Sequence, residues 1–387
     1  MTSVESRESS PIALVFGAHL NGHSIVRSLR VNGVPIEDIY IAKLAGTPSL
    51  SAEFFNRAVA SWTFDIERAE DLPGAIRRRF GSERTKVLFF TDERYLPALN
   101  RASLSGEVPD LRFFVGSSKH LDAILDRFLF YRFIEGCFDK PPVPATLPGD
   151  VDPVASFGGS FVIRPRISWH SVRSRFKVHI VTSPREFDKV VADYAAGGLT
   201  PEDWCTQELL SMNARHNVSV CGWYDGDHQE IFCTRKVLQH PPHCGNGDVI
   251  ELLSDPPAPI VEQTLTLLQA LQFEGPFELE WVFDRNSGSY KIIELNPRFW
   301  MQHSLVDALC GWGLVGRYLG KPALALQSPY PRCPLRYWVN PLYALYRLFR
   351  RDSRGLRYYM SSVSMSPISL LQSLIYAPFH FVGKGMI

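Results

Sequence analysis

The stretch that decides the fold is FELEWVFDRNSGSYKIIELNPR, residues 277–298. Two mainly apolar runs, 277–284 and 290–298, flank the five residues RNSGS at 285–289. Side chains that alternate with period two predict strands, and a short polar connection that contains glycine predicts a hairpin turn. The sequence therefore predicts an antiparallel β-hairpin across 277–298.

One face of this hairpin concentrates acidic side chains. Pairing Asp284 with Tyr290 places Glu280 opposite Glu294. The polar face then consists of Glu278, Glu280, Glu294 and Asn296. The opposite, core-facing side consists of Phe277, Leu279, Trp281, Ile293 and Leu295. This division depends on the register, because a slip of one residue moves every side chain to the other face.

Opposed carboxylates destabilise a sheet, so this acidic face needs a positive counter-charge. Mg²⁺ prefers oxygen ligands and usually takes one or two protein carboxylates together with waters and substrate phosphates. Glu280, Glu294 and Asn296 are therefore predicted as metal ligands. The alternative interpretation is a solvated polar face without a metal.

The run IELNPRFW at 293–300, with Glu280 on the partner strand, resembles the metal end of the ATP-grasp enzymes. The resemblance covers roughly residues 10–325 and is strongest to the carboxylate–amine ligases related to carbamoyl phosphate synthase and to amino-acid ligases. It implies an α/β and α+β architecture in three parts. These are a pre-ATP-grasp parallel α/β domain (1–115), an ATP-grasp domain with mixed or antiparallel sheets and two subdomains (116–200 and 201–325), and a basic, aromatic, helical C-terminal extension (326–387).

Local patterns agree with this division. Strand-like runs at 12–16, 39–42, 87–90 and 113–115 alternate with helical patterns, which predicts a small parallel sheet. Residues 120–138 have the pattern of one helix, and Ser183 is the predicted N-cap of another helix over 184–195.

The resemblance also implies roles for individual residues. Glu280, Glu294 and Asn296 would hold Mg²⁺, or Mn²⁺, on the phosphates of ATP. Arg298 would grip the transferred phosphoryl group as a catalytic residue, and Lys236 is a second candidate phosphate cation, with a solvated strand residue as its alternative. The remaining ATP-binding candidates are Arg127 and Arg164, which stand where many members have lysine, and the adenine-contacting segment Gln207, Glu208, Leu209 and Leu210.

The phosphate-covering segment differs from that of many relatives. Residues 167–173, ISWHSVR, contain no glycine, whereas many ATP-grasp enzymes have a loop rich in glycine and serine there. We expect serine hydroxyls to replace the missing backbone contacts, with slower turnover as the alternative.

The reaction that the resemblance implies joins a carboxylate to an amine. ATP would phosphorylate the carboxylate, and the amine would attack the acyl phosphate to give an amide, ADP and phosphate. Two alternatives stay open: a non-catalytic ATP-binding protein of the same fold, and an ATP-grasp phosphotransferase.

Composition limits the partners. The 387 residues hold 41 Lys or Arg and 40 Asp or Glu, and this balance argues against a nucleic-acid binder covered in positive charge. The charge is uneven, because residues 331–387 contain eight basic residues and one acid, a net +7 that leaves −6 on residues 1–330. This basic tail either contacts an anionic membrane surface or packs its aromatic rings on the acidic body.

The seven cysteines form no Cys-x-x-Cys pair, and an odd number cannot all pair within one chain. Reduced thiols and a cytoplasmic location are therefore expected. The expected partners are a small-molecule carboxylate and a small-molecule amine, with no nucleic acid. A homodimer stays open.

Overall fold

A computed structural model describes residues 11–17, 20–44, 59–64, 72–172, 178–240, 246–309, 313–321 and 337–340. These residues form three β-sheets and the helices that cover them. No helix among them is long and apolar enough to cross a membrane.

The amino-terminal sheet is parallel. Its strands are β1 (Ile12–Phe16), β2 (Ile39–Leu44), β3 (Ala60–Phe64), β4 (Lys86–Phe90) and β5 (Leu111–Arg112), and its helices are α1 (Leu20–Val31), α2 (Leu72–Phe80) and α3 (Leu96–Leu104). The strand order is β3-β2-β1-β4-β5. Every residue of β1 and β4 is buried, as expected for central strands of a parallel sheet that helices cover on both faces. The predicted parallel α/β arrangement is confirmed.

The predicted strand at 113–115 is wrong, because β5 ends at Arg112. The chain leaves the sheet there, and the Phe114 ring packs 5.0 Å from Trp223 and 4.9 Å from Tyr318. The backbone N–H of Phe114 also donates to the Tyr318 hydroxyl at 3.2 Å. Apolar residues that read as a strand therefore serve to join two parts of the fold.

A small antiparallel sheet follows. Its strands are β6 (Thr146–Pro148), β7 (Phe161–Pro165), β8 (His179–Val181) and β9 (Trp204–Glu208), in the order β6-β9-β7-β8. The helices before and within this region are α4 (Leu121–Leu125), α5 (Arg127–Glu135), α6 (Val154–Phe157) and α7 (Pro184–Ala196). The side chain of Ser183 accepts a hydrogen bond from the backbone N–H of Glu186, which confirms the predicted N-cap of α7.

The helix predicted over 120–138 is interrupted at Asp126, whose backbone is extended. The Asp126 carboxylate caps α5 by accepting from the N–H groups of Phe128 and Leu129 at 2.9 and 3.2 Å. Its backbone meanwhile forms a bridge with Ile167. The break makes Arg127 the first residue of α5, where its side chain can reach the hairpin described above.

The large sheet is antiparallel and has six strands. These are β10 (Asn217–Tyr224), β11 (Gln229–His240), β12 (Asn246–Leu252), β13 (Gly275–Asp284), β14 (Ser289–Asn296) and β15 (Tyr337–Val339), in the order β14-β13-β10-β11-β12-β15. Three further helices are α8 (Ala258–Ala270), α9 (His303–Leu309) and α10 (Gly313–Tyr318). Of the extension predicted from residue 326, only 337–340 is described, and it supplies the edge strand β15; the rest of that prediction lies outside the described residues.

The amino-terminal sheet and the large sheet share one hydrophobic core. Val15 and Phe89 of the first sheet belong to the same buried cluster as Trp223, Trp300 and Tyr318. The opposite face of the large sheet is covered by α8 and by aromatic residues of α5. The segment that follows the hairpin, which bears Phe299 and Trp300, is therefore packed between the two sheets.

Candidate active site

The hairpin β13–β14 has the predicted pairing at its acidic end. Glu280 lies opposite Glu294, and Glu278 lies opposite Asn296. The pairing at the turn is different, because Asp284 lies opposite Ser289 and not opposite Tyr290.

A β-bulge between the acidic end and the turn explains why the pairing differs at the two ends of the hairpin. Trp281 pairs with Ile292, so Ile293 is the extra residue. Ile292 is fully buried in the core, whereas Ile293, predicted to face the core, lines a cavity. The bulge shifts the register by one residue and thereby places both carboxylates on the cavity side.

Three basic side chains neutralise the opposed carboxylates. The Lys236 Nζ lies 2.8 Å from the Oε2 of Glu280. The Oε2 of Glu294 lies 2.7 Å from the Nη2 of Arg127 and 3.3 Å from the Nη2 of Arg164. Basic residues of α5, β7 and β11 thus offset the repulsion predicted between the opposed carboxylates on this face. Within the described part of the chain, no group of three or more His, Cys, Asp or Glu side chains is arranged to hold a metal.

The neighbouring carboxyl group of Glu278 is in a different environment. It is 4% exposed and accepts from the Nε2 of Gln302 at 2.6 Å and from the Nδ2 of Asn296 at 3.1 Å. Burial, with a smaller contribution from Glu280, raises the pKa of Glu278 to about 8. Glu278 therefore holds the amide of Asn296 in place. No local sequence pattern predicts Gln302 here, because it follows the hairpin in an irregular segment.

Arg298 connects the hairpin to the amino-terminal sheet. Its Nη2 donates to the Oδ1 of Asn296 at 3.1 Å, and its Nε donates to the Oε2 of Glu93. Burial alone would lower the pKa of Arg298, but the Glu93 carboxylate outweighs burial and raises it. The same ion pair keeps the pKa of Glu93 below its ordinary value in spite of burial.

Glu93 is a site residue that sequence reasoning missed. A signal was present, since Glu93 follows β4 at its carboxyl end, and parallel sheets place ligand-binding residues at that edge. What the sequence does not contain is the contact with Arg298, which lies 205 residues further along the chain.

A cavity of about 350 Å³ lies between the small and large sheets. One part of its wall is apolar and consists of Pro144, Val162, Val178, Ile180, Leu209, Leu210, Met212, Val282 and Ile293. Another part consists of the charged residues Arg164, Lys236, Glu280 and Glu294, which contact one another as described above. An apolar slot next to two basic side chains and two carboxylates suits a flat base whose polyanionic tail is bound together with a cation.

Most residues predicted to bind ATP lie in the wall of this cavity. They are Arg164, Gln207, Glu208, Leu209, Leu210, Lys236, Glu280 and Glu294. Arg127 and Asn296 instead line a neighbouring cavity of about 20 Å³, which Glu294 also borders. The structure thus brings the predicted residues together, and their roles stay predictions.

Comparisons with known proteins add the family context. No protein-family model matches the chain, and no curated protein sequence matches it. Solved structures do match, and an ADP complex of PurK, an N5-carboxyaminoimidazole ribonucleotide synthetase, is similar to 89% of this chain over 86% of its own, with 14% identity and a TM-score of 0.64.

Two other ligase structures are similar to this chain. The L-amino acid ligase of Bacillus licheniformis is 13% identical, with a TM-score of 0.60, across 85% of this chain and 79% of its own. The biotin carboxylase of Campylobacter jejuni is 12% identical, with a TM-score of 0.61, across 82% of this chain and 73% of its own. All three are ATP-grasp enzymes, and the resemblance predicted from the sequence is confirmed at the level of the fold.

Proposed function

We propose that the protein is an ATP-dependent carboxylate–amine ligase. The observation that supports this best is the cavity between the two antiparallel sheets, where an apolar slot adjoins a cluster of two cations and two carboxylates. The similar structures are ligases that form C–N bonds, which supports the kind of reaction and leaves the substrates open.

The base of ATP would occupy the apolar part of the cavity against Leu209 and Leu210, and its phosphates would lie against Arg164 and Lys236. Arg127, on the far side of Glu294, would contribute further positive charge. Planar guanidinium groups suit phosphate oxygens, so arginine in place of lysine preserves charge and reach.

The donor set on the hairpin fits a divalent cation. Two opposed carboxylates and an amide oxygen, from Glu280, Glu294 and Asn296, are ligands of the kind that Mg²⁺ takes beside substrate phosphates. These residues would hold the cation, and a bound cation would neutralise the negative charge of the phosphates. Glu280 pairs with Lys236, and Glu294 pairs with Arg127 and Arg164, so each carboxylate of this donor set has a basic partner.

The reaction then needs positioning and charge neutralisation more than a protein nucleophile. An oxygen of the substrate carboxylate attacks the γ-phosphorus of ATP, and the bond to ADP breaks. The substrate amine attacks the acyl carbon, phosphate leaves with the electron pair of the broken C–O bond, and the amine loses a proton. Arg298, which donates to Asn296 and Glu93, would hold the phosphoryl group during transfer.

The experiment that tests this function measures ADP release. Purified protein is incubated with ATP, MgCl₂ or MnCl₂, and a panel of carboxylates and amines. The products are identified by mass spectrometry. We expect a condensation product with ADP and phosphate, and loss of ADP release in Glu294→Ala. The proposal fails if no acceptor pair gives ADP, or if Glu294→Ala matches the wild type.

A second candidate is an ATP-binding protein without turnover. It is favoured by the ion pairs that engage both Glu280 and Glu294 and by the glycine-free segment 167–173. Calorimetry would then show ATP binding while no acceptor gives ADP. A stable phosphorylated product would instead indicate a phosphotransferase. The cytoplasmic location, the homodimer and the membrane contact of residues 331–387 stay predictions.

A further inference from the structure

Glu93 joins three segments that are distant in sequence. It begins a short 3₁₀ turn (Glu93–Tyr95) just after β4, and Asp92 caps this turn by accepting from the backbone N–H of Arg94 at 3.0 Å. The Oε1 of Glu93 accepts from the hydroxyl of Ser168, and its Oε2 accepts from the Nε of Arg298. The side chain is 13% exposed, so these contacts are largely shielded from water.

Ser168 belongs to the segment that covers the phosphates in the predicted site. Its residues Ser168–Val172 form a 3₁₀ turn instead of a glycine-rich loop. The next side chain, Trp169, packs against the buried cluster of the amino-terminal sheet that includes Phe16, Phe90 and Tyr95. The hydrogen bond of Ser168 and the packing of Trp169 therefore attach the covering segment to the amino-terminal sheet.

Arg298 is fixed on more than one side. Its other donors reach the Oδ1 of Asn296 at 3.1 Å and the carbonyl of Phe299 at 3.4 Å. Only Glu93 among its described partners has a negative charge within ion-pair distance. The Glu93 carboxylate is held in its charged form by this same pair, because the ion pair lowers its pKa.

We propose that Glu93 is a positioning residue that sets the orientation of Arg298 and, through Ser168, fastens the covering segment to the amino-terminal sheet. We name these two contacts the Glu93 latch. The proposal rests on the proposed ligase function for the effect on turnover, while the attachment of the covering segment is independent of it.

Two variants separate the parts of the latch. Glu93→Ala removes both contacts, whereas Ser168→Ala removes only the contact with the covering segment. The matched control is Glu230→Ala, because the Oε1 of Glu230 lies 3.3 Å from the Nε of Arg317 in a similarly buried ion pair outside the site. Amide hydrogen exchange is followed over 166–172 in the full chain without added nucleotide, and the strands β10 and β11 in the same run show whether each variant is folded.

We expect exchange over 166–172 to become about tenfold faster in Glu93→Ala and in Ser168→Ala, since a hydrogen bond to a charged group no longer opposes local opening. In Glu93→Ala, kcat for ADP release should also fall about 10- to 100-fold, because Arg298 loses its orientation. The KM for ATP should change little, because the cavity that would bind the nucleotide is unaltered. Ser168→Ala is followed by hydrogen exchange alone, and Glu230→Ala should behave as the wild type in both measurements.

The latch is refuted if exchange over 166–172 is at the wild-type rate in both Glu93→Ala and Ser168→Ala. It is equally refuted if kcat of Glu93→Ala equals that of Glu230→Ala. If the wild-type protein releases no ADP with any acceptor, the proposed function fails, and the exchange measurement alone decides the latch.

Discussion

Lys86, at the start of β4, and Lys236, in β11, are both paired with a carboxylate, yet their surroundings differ. The Lys86 Nζ lies 3.2 Å from the Oδ2 of Asp110, and the Lys236 Nζ lies 2.8 Å from the Oε2 of Glu280. The Lys86 side chain is 0% exposed and also donates to the carbonyl of Gly81, whereas the Lys236 side chain is 14% exposed and lines the cavity. A buried ion pair is therefore not by itself a sign of function; the adjoining cavity makes the difference.

The largest expected effect is on stability and concerns the buried ion pair of Lys86 with Asp110. Asp110→Asn leaves the fully buried ammonium of Lys86 without a charge partner, which should cost about 3–5 kcal/mol of unfolding free energy. Glu280→Gln should cost less, because Lys236 reaches the water of the cavity. Denaturant unfolding of both variants measures this difference. Equal losses would show that the two pairs are energetically alike and would break the comparison.

The next effect is on turnover and concerns the site. Arg298→Ala removes the guanidinium predicted to hold the transferred phosphoryl group, and kcat for ADP release should fall by about 10²–10³. The unfolding midpoint is measured alongside, since the Glu93 carboxyl loses its partner as well. An unchanged kcat in a folded Arg298→Ala protein would remove Arg298 from the chemistry.

A pH-dependent effect is expected from Asp307, which is buried away from the cavity and accepts from the N–H of Leu314 at 3.0 Å. Burial raises the pKa of Asp307 to about 6. The folded state then binds more protons than the unfolded state between about pH 4 and pH 6, so this group lowers stability as pH rises through that window.

Asp307→Asn removes this dependence and keeps an acceptor for Leu314. We expect the variant to gain roughly 3 kcal/mol on the wild type between pH 3.5 and pH 7, as judged from denaturant unfolding at each pH. A difference that does not change with pH would show that Asp307 titrates alike in the folded and unfolded chain.

The smallest effect is expected at the N-cap of α7. Ser183→Ala removes the acceptor for the backbone N–H of Glu186 and should cost about 1 kcal/mol of unfolding free energy. ATP affinity should stay unchanged, because Ser183 does not line the cavity. Ser183→Thr, which keeps a capping hydroxyl, is the control and should stay close to the wild type.

The sequence predicted the acidic face of the hairpin because side-chain alternation along a strand is a local property. It predicted the register wrongly at the turn, since a bulge at Ile293 depends on packing between Ile292 and the core rather than on the turn residues. Asp126 had an N-cap signal that the helical pattern of 120–138 concealed. Local rules thus reached the strands and helices but not their interruptions.

Contacts between elements that are distant in sequence could not be predicted from local patterns. Arg127 and Arg164 were included in the predicted site because of the family resemblance. Nothing in their spacing showed that both contact the same carboxylate oxygen, Oε2 of Glu294. Glu93 and Gln302 were missed because each meets its partner only after separate segments have packed.

The most direct test of the central claim is the affinity for ATP of two matched lysine or arginine variants. Lys236→Met removes a cation from the cavity, and Arg317→Met removes one from the ion pair with Glu230 outside it. Calorimetric titration with ATP and MgCl₂ should show binding about tenfold or more weaker for Lys236→Met, a loss of about 1.4 kcal/mol, and wild-type binding for Arg317→Met. Equal affinities in the two variants, or no binding by the wild type, would contradict the claim that this cavity is the nucleotide site.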